Sequence, residues 1–413
     1  MNDLIGASGW LRRRVVAFVL ILLPLALSFA FLSGAPSVRY QESATAEDVA
    51  AARDLIDQVE AAQDGSTVRL SLDARHLRAI AILAGEASGS RRVEAEVSSG
   101  VFTTRASLHV LGGVWINTAA KVTGTHTGFP TLRLQVGRVA LPAVASRWSA
   151  DLLRWVLLRK GVALPELDQF VRRFSVADNA ITADLALSNR HDLIGAVVRA
   201  VGAPVNEPLV SQIYCRLARQ QLETPATQLA PLVRQAFERA AGPDPTLYNR
   251  AAFVAVALYV VGEQAHSLVP AAVERSRGCP LPAQSVVLRG RADLAKHWAF
   301  SAALTAVLGE EASGSLGEWK ELHDSLPQGS GFSFVDLAAD RSGFHFARKA
   351  LNAQSARPTA LSLKTISDQE LLPDVLLDGR EGLREALFVT SYGGRDEKRY
   401  NDAIARIDKY LDQ

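Results

Sequence analysis

Three consecutive arginines, Arg12 to Arg14, are followed by an uncharged apolar run from Val15 to Ser33. At about 1.5 Å of rise per helical residue the run reaches roughly 28 Å, close to the hydrocarbon thickness of a bilayer. That length and that flank constrain everything downstream. With the positive charge on the N-terminal side, residues 1–14 stay in the cytoplasm and the chain beyond Gly34 lies across the membrane. Pro24 inside the run is compatible with a span, because membrane helices tolerate proline. A cleaved leader is the competing expectation, but its apolar part is usually shorter, and cleavage after Ala35 would leave Pro36 first. The expectation is a single-pass protein of a bacterial cell inner membrane, with its N-terminus cytoplasmic and its bulk periplasmic.

A chain of 413 residues has room for two or three domains beyond such a span. Its net charge of +2 supplies no basic field, so nucleic acid is not an expected partner. The inner membrane is one, and a lipid or envelope polymer is the other partner class that the location suggests. Cys215 and Cys279 are the only cysteines. Beyond the membrane they can bridge, and two buried free thiols fit the sequence equally well. Neither their number nor their spacing suits a cysteine-based metal site.

The expected fold class is α+β: the span, then a helix and an antiparallel sheet over residues 36–190, then an all-helical unit over residues 191–413. Thr45 to Ala62 reads as a helix capped by Thr45 with Glu47 and Asp48 in its first turn. Thr67 to Leu72 alternates, a short helix follows around Leu77 to Ala84, and Val93–Val97, Val101–Val110, Val114–Thr123 and Leu132–Val139 read as strands of a meander. An amphipathic helix from Ala145 to Arg159 carries Trp148, Leu152, Trp155 and Val156. Pro165 opens a short helix through Val171, and Ile181 to Leu187 forms a last strand. This layout, with Gly137 to Pro142 as a Gly-x-x-x-Leu-Pro ending, resembles the YpmS-like single-span proteins. The resemblance implies a curved sheet with a groove for lipid or peptide, and carries over no catalytic residue. Trp115 belongs to that sheet, as a packed aromatic or as the lip of such a groove.

From His191 the period is helical, over about 191–202, 208–222, 226–241, 247–263 and 265–275. The apolar stretch Ala251 to Gly262 is too short for a bilayer and reads as the central helix of a bundle. A charged tail helix, Asp396 to Asp412, presents Tyr400, Ile404, Ile407 and Leu411 on one stripe.

The candidate chemistry lies between Arg289 and Arg348. Asp293, His297 and Ser301 recur at four-residue steps on one helix face, Glu318, Glu321 and Asp324 at three-residue steps, and Asp336 and Asp340 one turn apart on a helix that Ser333 can cap. Gly343 would admit a close neighbouring helix. The order His-x-x-x-Ser, Gly-x-x-Lys-Glu-x-x-Asp, Gly-Ser-Gly-Phe-Ser and Asp-Leu-x-x-Asp-x-x-Gly resembles the YfiM-like proteins over residues 289–350 and, more distantly, the VanZ-like membrane proteins. The resemblance implies His297, Ser301, Lys320, Glu321, Asp324, Asp336, Asp340 and Gly343 as the marked positions, without a biochemical role. Here a long bundle precedes the block, which sets this chain apart from both families.

Three readings of the block stand open. In the first, His297 bonds Glu321 or Asp336, while Lys320 or Arg341 pairs with Asp324 or Asp340, pinning helices together. In the second, His297, Glu321, Asp324, Asp336 and Asp340 are the catalytic set of a hydrolase acting on an envelope component, with a divalent ion activating water; no His-Glu-x-x-His spacing supports it, and the cofactor is left unassigned. In the third, the acidic stripe with Trp298 and Trp319 lines a groove for an envelope component.

Overall fold

The computed structural model describes residues 29–41, 43–60, 67–87, 92–125, 128–159, 165–177, 179–186, 203–240, 244–282, 284–309, 318, 320–322, 324–326 and 329–412. Most of the expected span, residues 15–28, and the expected helix over 191–202 lie outside the described residues. Among the described residues no helix is long and apolar enough to cross a membrane.

The first unit contains α1 (Ala46–Glu60), β1 (Thr67–Leu72), α2 (Ala74–Ala87), β2 (Val93–Ser98), β3 (Val101–Leu111), β4 (Val114–Thr123), β5 (Thr131–Val136), β6 (Val139–Ala140), α3 (Ala143–Arg159), α4 (Leu167–Phe170), β7 (Val171–Val176) and β8 (Ile181–Ala186). Thr45 and Asp48 open α1 reciprocally: Thr45 Oγ1 accepts from the Asp48 amide and the Asp48 carboxylate from the Thr45 amide. The meander is present as the antiparallel sheet β2-β3-β4-β5-β6. Two expectations are corrected. β1 does not join that sheet; it pairs with β8 in a second sheet, β1-β8-β7. The helix expected through Val171 is one turn, after which Val171–Val176 runs as β7, its alternation Val171, Phe174, Val176 being irregular enough to escape notice.

The second unit contains α5 (Glu207–Glu223), α6 (Leu229–Phe237), α7 (Pro245–Val260), a 3₁₀ segment (Gly262–Leu268), α8 (Pro270–Arg275), α9 (Ala292–Leu308), α10 (Phe334–Leu351), α11 (Ala356–Leu363), α12 (Asp368–Leu371), α13 (Glu385–Tyr392) and α14 (Lys398–Leu411). Caps follow the local sequence: Asn206 accepts from the Leu209 amide, Asp244 from the Leu247 amide and Ser333 from the Asp336 amide. α7 is central as expected, with Ala251 to Ala257 wholly buried. Alanines on α9 and α10 let the three helices approach closely, and Gly343 of α10 sits where a Cβ would collide with the Trp298 carbonyl of α9. Cys215 and Cys279 form a disulfide with a Cα–Cα distance of 5.3 Å, tying α5 to the chain after α8. α14 packs back through Tyr400, Ala403 and Ile407, as its stripe predicts.

The two units share a seam. Ala44, Ala46, Val49 and Ile82 of the first belong to the same contiguous apolar core as the second. Arg395, itself buried, pairs with Glu86 of α2 at 3.1 Å and with Glu318 at 2.8 Å.

Candidate functional site

α9 and α10 pack along each other, and their facing turns bring the block together. The four-residue spacing on α9 aims His297 and Ser301 at α10, and both meet Asp340: His297 Nδ1 donates to Oδ2 at 3.1 Å and Ser301 Oγ donates to Oδ1 at 2.6 Å. Asp336, one turn earlier, lies 3.6 Å from His297 Nε2, beyond hydrogen-bond reach but close enough to act as a charge. Glu321 is brought in from the helical turn containing Glu318, Lys320 and Glu321, and its side chain is 1% exposed. Its Oε2 accepts from the Ser333 amide at 2.9 Å and its Oε1 from Lys320 Nζ at 3.2 Å. Lys320 also reaches Asp324 at 2.6 Å, so Asp324 joins the cluster through that ammonium.

The structure brings His297, Ser301, Lys320, Glu321, Asp324, Asp336 and Asp340 together, with pairings that differ in part from those expected. His297 bonds Asp340, not Glu321 or Asp336. Lys320 pairs with Asp324 as expected, whereas Arg341 turns away to Asp408 and Glu318. Asp293 faces Arg291 rather than His297. The groove reading loses one wall: Trp298 is buried, packed against Phe253 and Phe346, with its indole N–H donating to Ser342. Trp319 lies outside the described residues. Two participants have no periodic signal in the sequence, Arg291 and Glu381. Arg291 forks to Asp293, Asp336 and Glu381, and Glu381 accepts from Ser333 Oγ. Both sit beyond helix ends, where helical spacing says nothing.

The cluster is electrostatically coupled. Burial works against a charged His297, but the adjoining Asp340 carboxylate, with Asp336, outweighs it and holds the imidazolium up to about 9. Burial pushes Glu321 up to about 7, aided by Asp340 and opposed by Lys320. Burial likewise raises Asp336 against the pull of His297. At neutral pH His297 is thus a cation and Glu321 is poised between its two states. No side-chain nitrogen or oxygen of His297, Ser301, Lys320, Glu321, Asp336 or Asp340 is both buried and without a partner.

Ligand atoms of His297, Glu321 and Asp340 lie within 4.8 Å of one another, close enough to share one cation. A divalent ion there would require His297 to lose its proton and the Lys320 ammonium to withdraw from Glu321. As the groups stand, His297 and Lys320 supply the positive charge that the carboxylates need. In the first unit, a cleft of about 510 Å³ between α2 and β2 is lined by Asp73, Arg75, Leu77, Glu96 and Asn179, and it touches no residue of the block. Trp115 stacks edge-on against His109 and lies under the Arg92 guanidinium, 4.9 Å from its ring centre.

Comparison of the chain with family models, curated proteins and solved structures gave no match.

Proposed function

We propose that this chain is a membrane-anchored, extracytoplasmic envelope protein with a binding or scaffolding role, in which the His297 block is the clamp that holds the helical unit in one arrangement. The observation that carries the location is the Cys215–Cys279 disulfide, since such bridges persist in oxidising compartments. The apolar run at Val15–Ser33 and its arginine flank agree with it. The clamp role rests on the complete pairing of the block and on its cations being its own side chains. In intact cells the two cysteines should resist thiol-directed label until a reductant is added, and the chain should stay with membranes through an alkaline wash. Free labelling of Cys215 and Cys279 would overturn the location.

The second reading, a metal-dependent hydrolase acting on an envelope component, is favoured by the approach of His297, Glu321 and Asp340. It predicts that the purified full chain carries a stoichiometric divalent metal that His297→Ala abolishes without loss of fold. The clamp predicts no metal, and a His297→Ala protein that unfolds more easily.

A further inference from the structure

The last residues of the apolar run are fastened to one end of the five-stranded sheet. Ser33 and Trp115 exchange two backbone hydrogen bonds of 2.8 Å, and Arg138 donates from its amide to the Ala30 carbonyl at 2.8 Å. The Arg138 side chain donates to the Phe29 carbonyl at 2.6 Å while its guanidinium lies 4.0 Å from the centre of the Phe29 ring. Gly137, with φ of 58°, sits where a Cβ would collide with Ala30 and Phe31. Beyond Ser33, the Ser107 hydroxyl accepts from the Ser37 and Val38 amides, and Asn117 Nδ2 donates to the Ala35 carbonyl. The point where a membrane span would end is therefore held against the β3–β4 hairpin.

That hairpin has an unusual tip. Gly112 and Gly113, both at positive φ, make a two-residue turn that closes Leu111 against Val114. Around it Leu108, Val110 and Leu111 are exposed, Leu111 at 76%, as is Phe29 at 70%. No residue from Ala106 through Ala120 carries a formal charge. The neighbouring β2–β3 hairpin is different, with Arg105 bonded to Glu96 across its strands. Behind the apolar tip come Trp115 and His109 in edge-on contact, an amphipathic aromatic pair suited to a membrane interface.

We infer that the tip of the β3–β4 hairpin, Leu108 to Trp115, enters the interface of the same bilayer that holds the apolar run. The inference rests on the anchor proposed above and adds a second insertion point beside it. The lipid is the occupant because the run from Val15 to Ser33 has bilayer length and its last residue, Ser33, is bonded to Trp115, four residues from Leu111. Two insertion points fix the sheet's rotation about the anchor, where a single span with a flexible linker would leave it free.

The test uses the full chain reconstituted in vesicles of phosphatidylethanolamine and phosphatidylglycerol. Because both native cysteines are bridged, Leu111→Cys or Leu108→Cys provides the single thiol for a nitroxide, and Leu361→Cys, at an exposed position of α11, provides the control. At Leu111 and Leu108 the nitroxide should collide with dissolved oxygen several-fold more, relative to an aqueous nickel chelate, than it does at Leu361. Equal ratios at all three sites would overturn the hairpin contact while leaving the anchor intact. Low collision with both reagents at Leu111 and Leu108 would also overturn it, since protein and not lipid would then cover the tip. A chain that fails to float with the vesicles would overturn the anchor itself, and with it this contact.

Discussion

The two units differ in what they bury and in what one of their helices leaves exposed. In the helical unit, α7 is buried along most of its length, and three of the buried ionisable groups, His297, Glu321 and Asp340, are matched across three segments. In the α+β unit, Val144, Trp148, Leu152 and Trp155 of α3 and Leu111 of the hairpin are exposed, while pairs such as Arg75–Asp73 and Arg147–Asp168 lie near the surface. The difference teaches where each unit's partners are. The helical unit pairs the buried charges of the His297 block within itself, so that part of its stability is internal. The α+β unit turns apolar area outward, which a soluble monomer rarely does unless something apolar meets it.

If the contrast holds, the largest loss comes from breaking the internal match. Asp340→Ala removes the acceptor of both His297 and Ser301 and leaves a buried imidazolium near Asp336 and Glu321 but hydrogen-bonded to neither. The expected cost is about 3–5 kcal/mol, read as a lowered urea midpoint. A change below about 1 kcal/mol would mean that the block is not a clamp. Replacing both Cys215 and Cys279 by serine releases a bridge spanning 64 residues of sequence, with an expected cost of about 2–4 kcal/mol in the same measurement.

How much of this was legible beforehand follows from what periodicity can carry. Helical spacing placed Asp293, His297 and Ser301 on one face and Asp336 with Asp340 on another, and the structure joins His297, Ser301 and Asp340. Spacing carries no information on rotation between two helices, so it points to Glu321 or Asp336 as the partner of His297 where the structure has Asp340. Gly343 was legible because a glycine inside a helical pattern marks a close approach, and Trp298 O fills that place. Arg291 and Glu381 were not, since loop residues have no period. β1 pairing with β8 is also hidden: alternation marks Thr67 to Leu72 as a strand without naming its partner, and a register linking Thr67 to Ala186 is set by the whole unit. The helices α11, α12 and α13 escaped because their short runs present less than the three turns over which a period becomes visible.

A smaller effect separates two histidines of the same unit. His297, held up to about 9, contributes stability that is complete below its unfolded value of 6.5 and is lost as pH rises through 9. Glu321, held up to about 7 from 4.5, acts in the same direction, its contribution fading as pH rises through 7. His345 is the opposite case. Burial, with Lys349 and Arg348 nearby, holds it neutral down to about 4, so its contribution is lost as pH falls from 6.5 through 4. The full chain should therefore lose stability between pH 6.5 and 9, on the order of 3 kcal/mol, read as a falling Tm in thermal unfolding. His297→Gln should flatten that alkaline limb and leave the acid limb in place, while His345→Gln should flatten only the acid limb. Alkaline limbs that coincide in wild type and His297→Gln would break the assignment.

The smallest expected change is the one that most sharpens the contrast. Trp148 and Leu152 are large side chains that would cost several kcal/mol to remove from a core, yet in α3 they are exposed, Trp148 at 69%. The support for α3 comes instead from its first half, where the Ser146 hydroxyl accepts from the Leu134 amide and Arg147 reaches Asp168. Trp148→Gln and Leu152→Gln keep good helix formers on the same surface and touch neither contact. Each should stay within about 0.5 kcal/mol of the parent in detergent, measured by urea unfolding. A loss as large as that from Asp340→Ala would mean that α3 is covered by protein, and the α+β unit would then be as self-contained as its neighbour. Unchanged stability leaves these side chains free to serve contact with something outside the chain, which is what large apolar residues kept on an exposed helix face would be for.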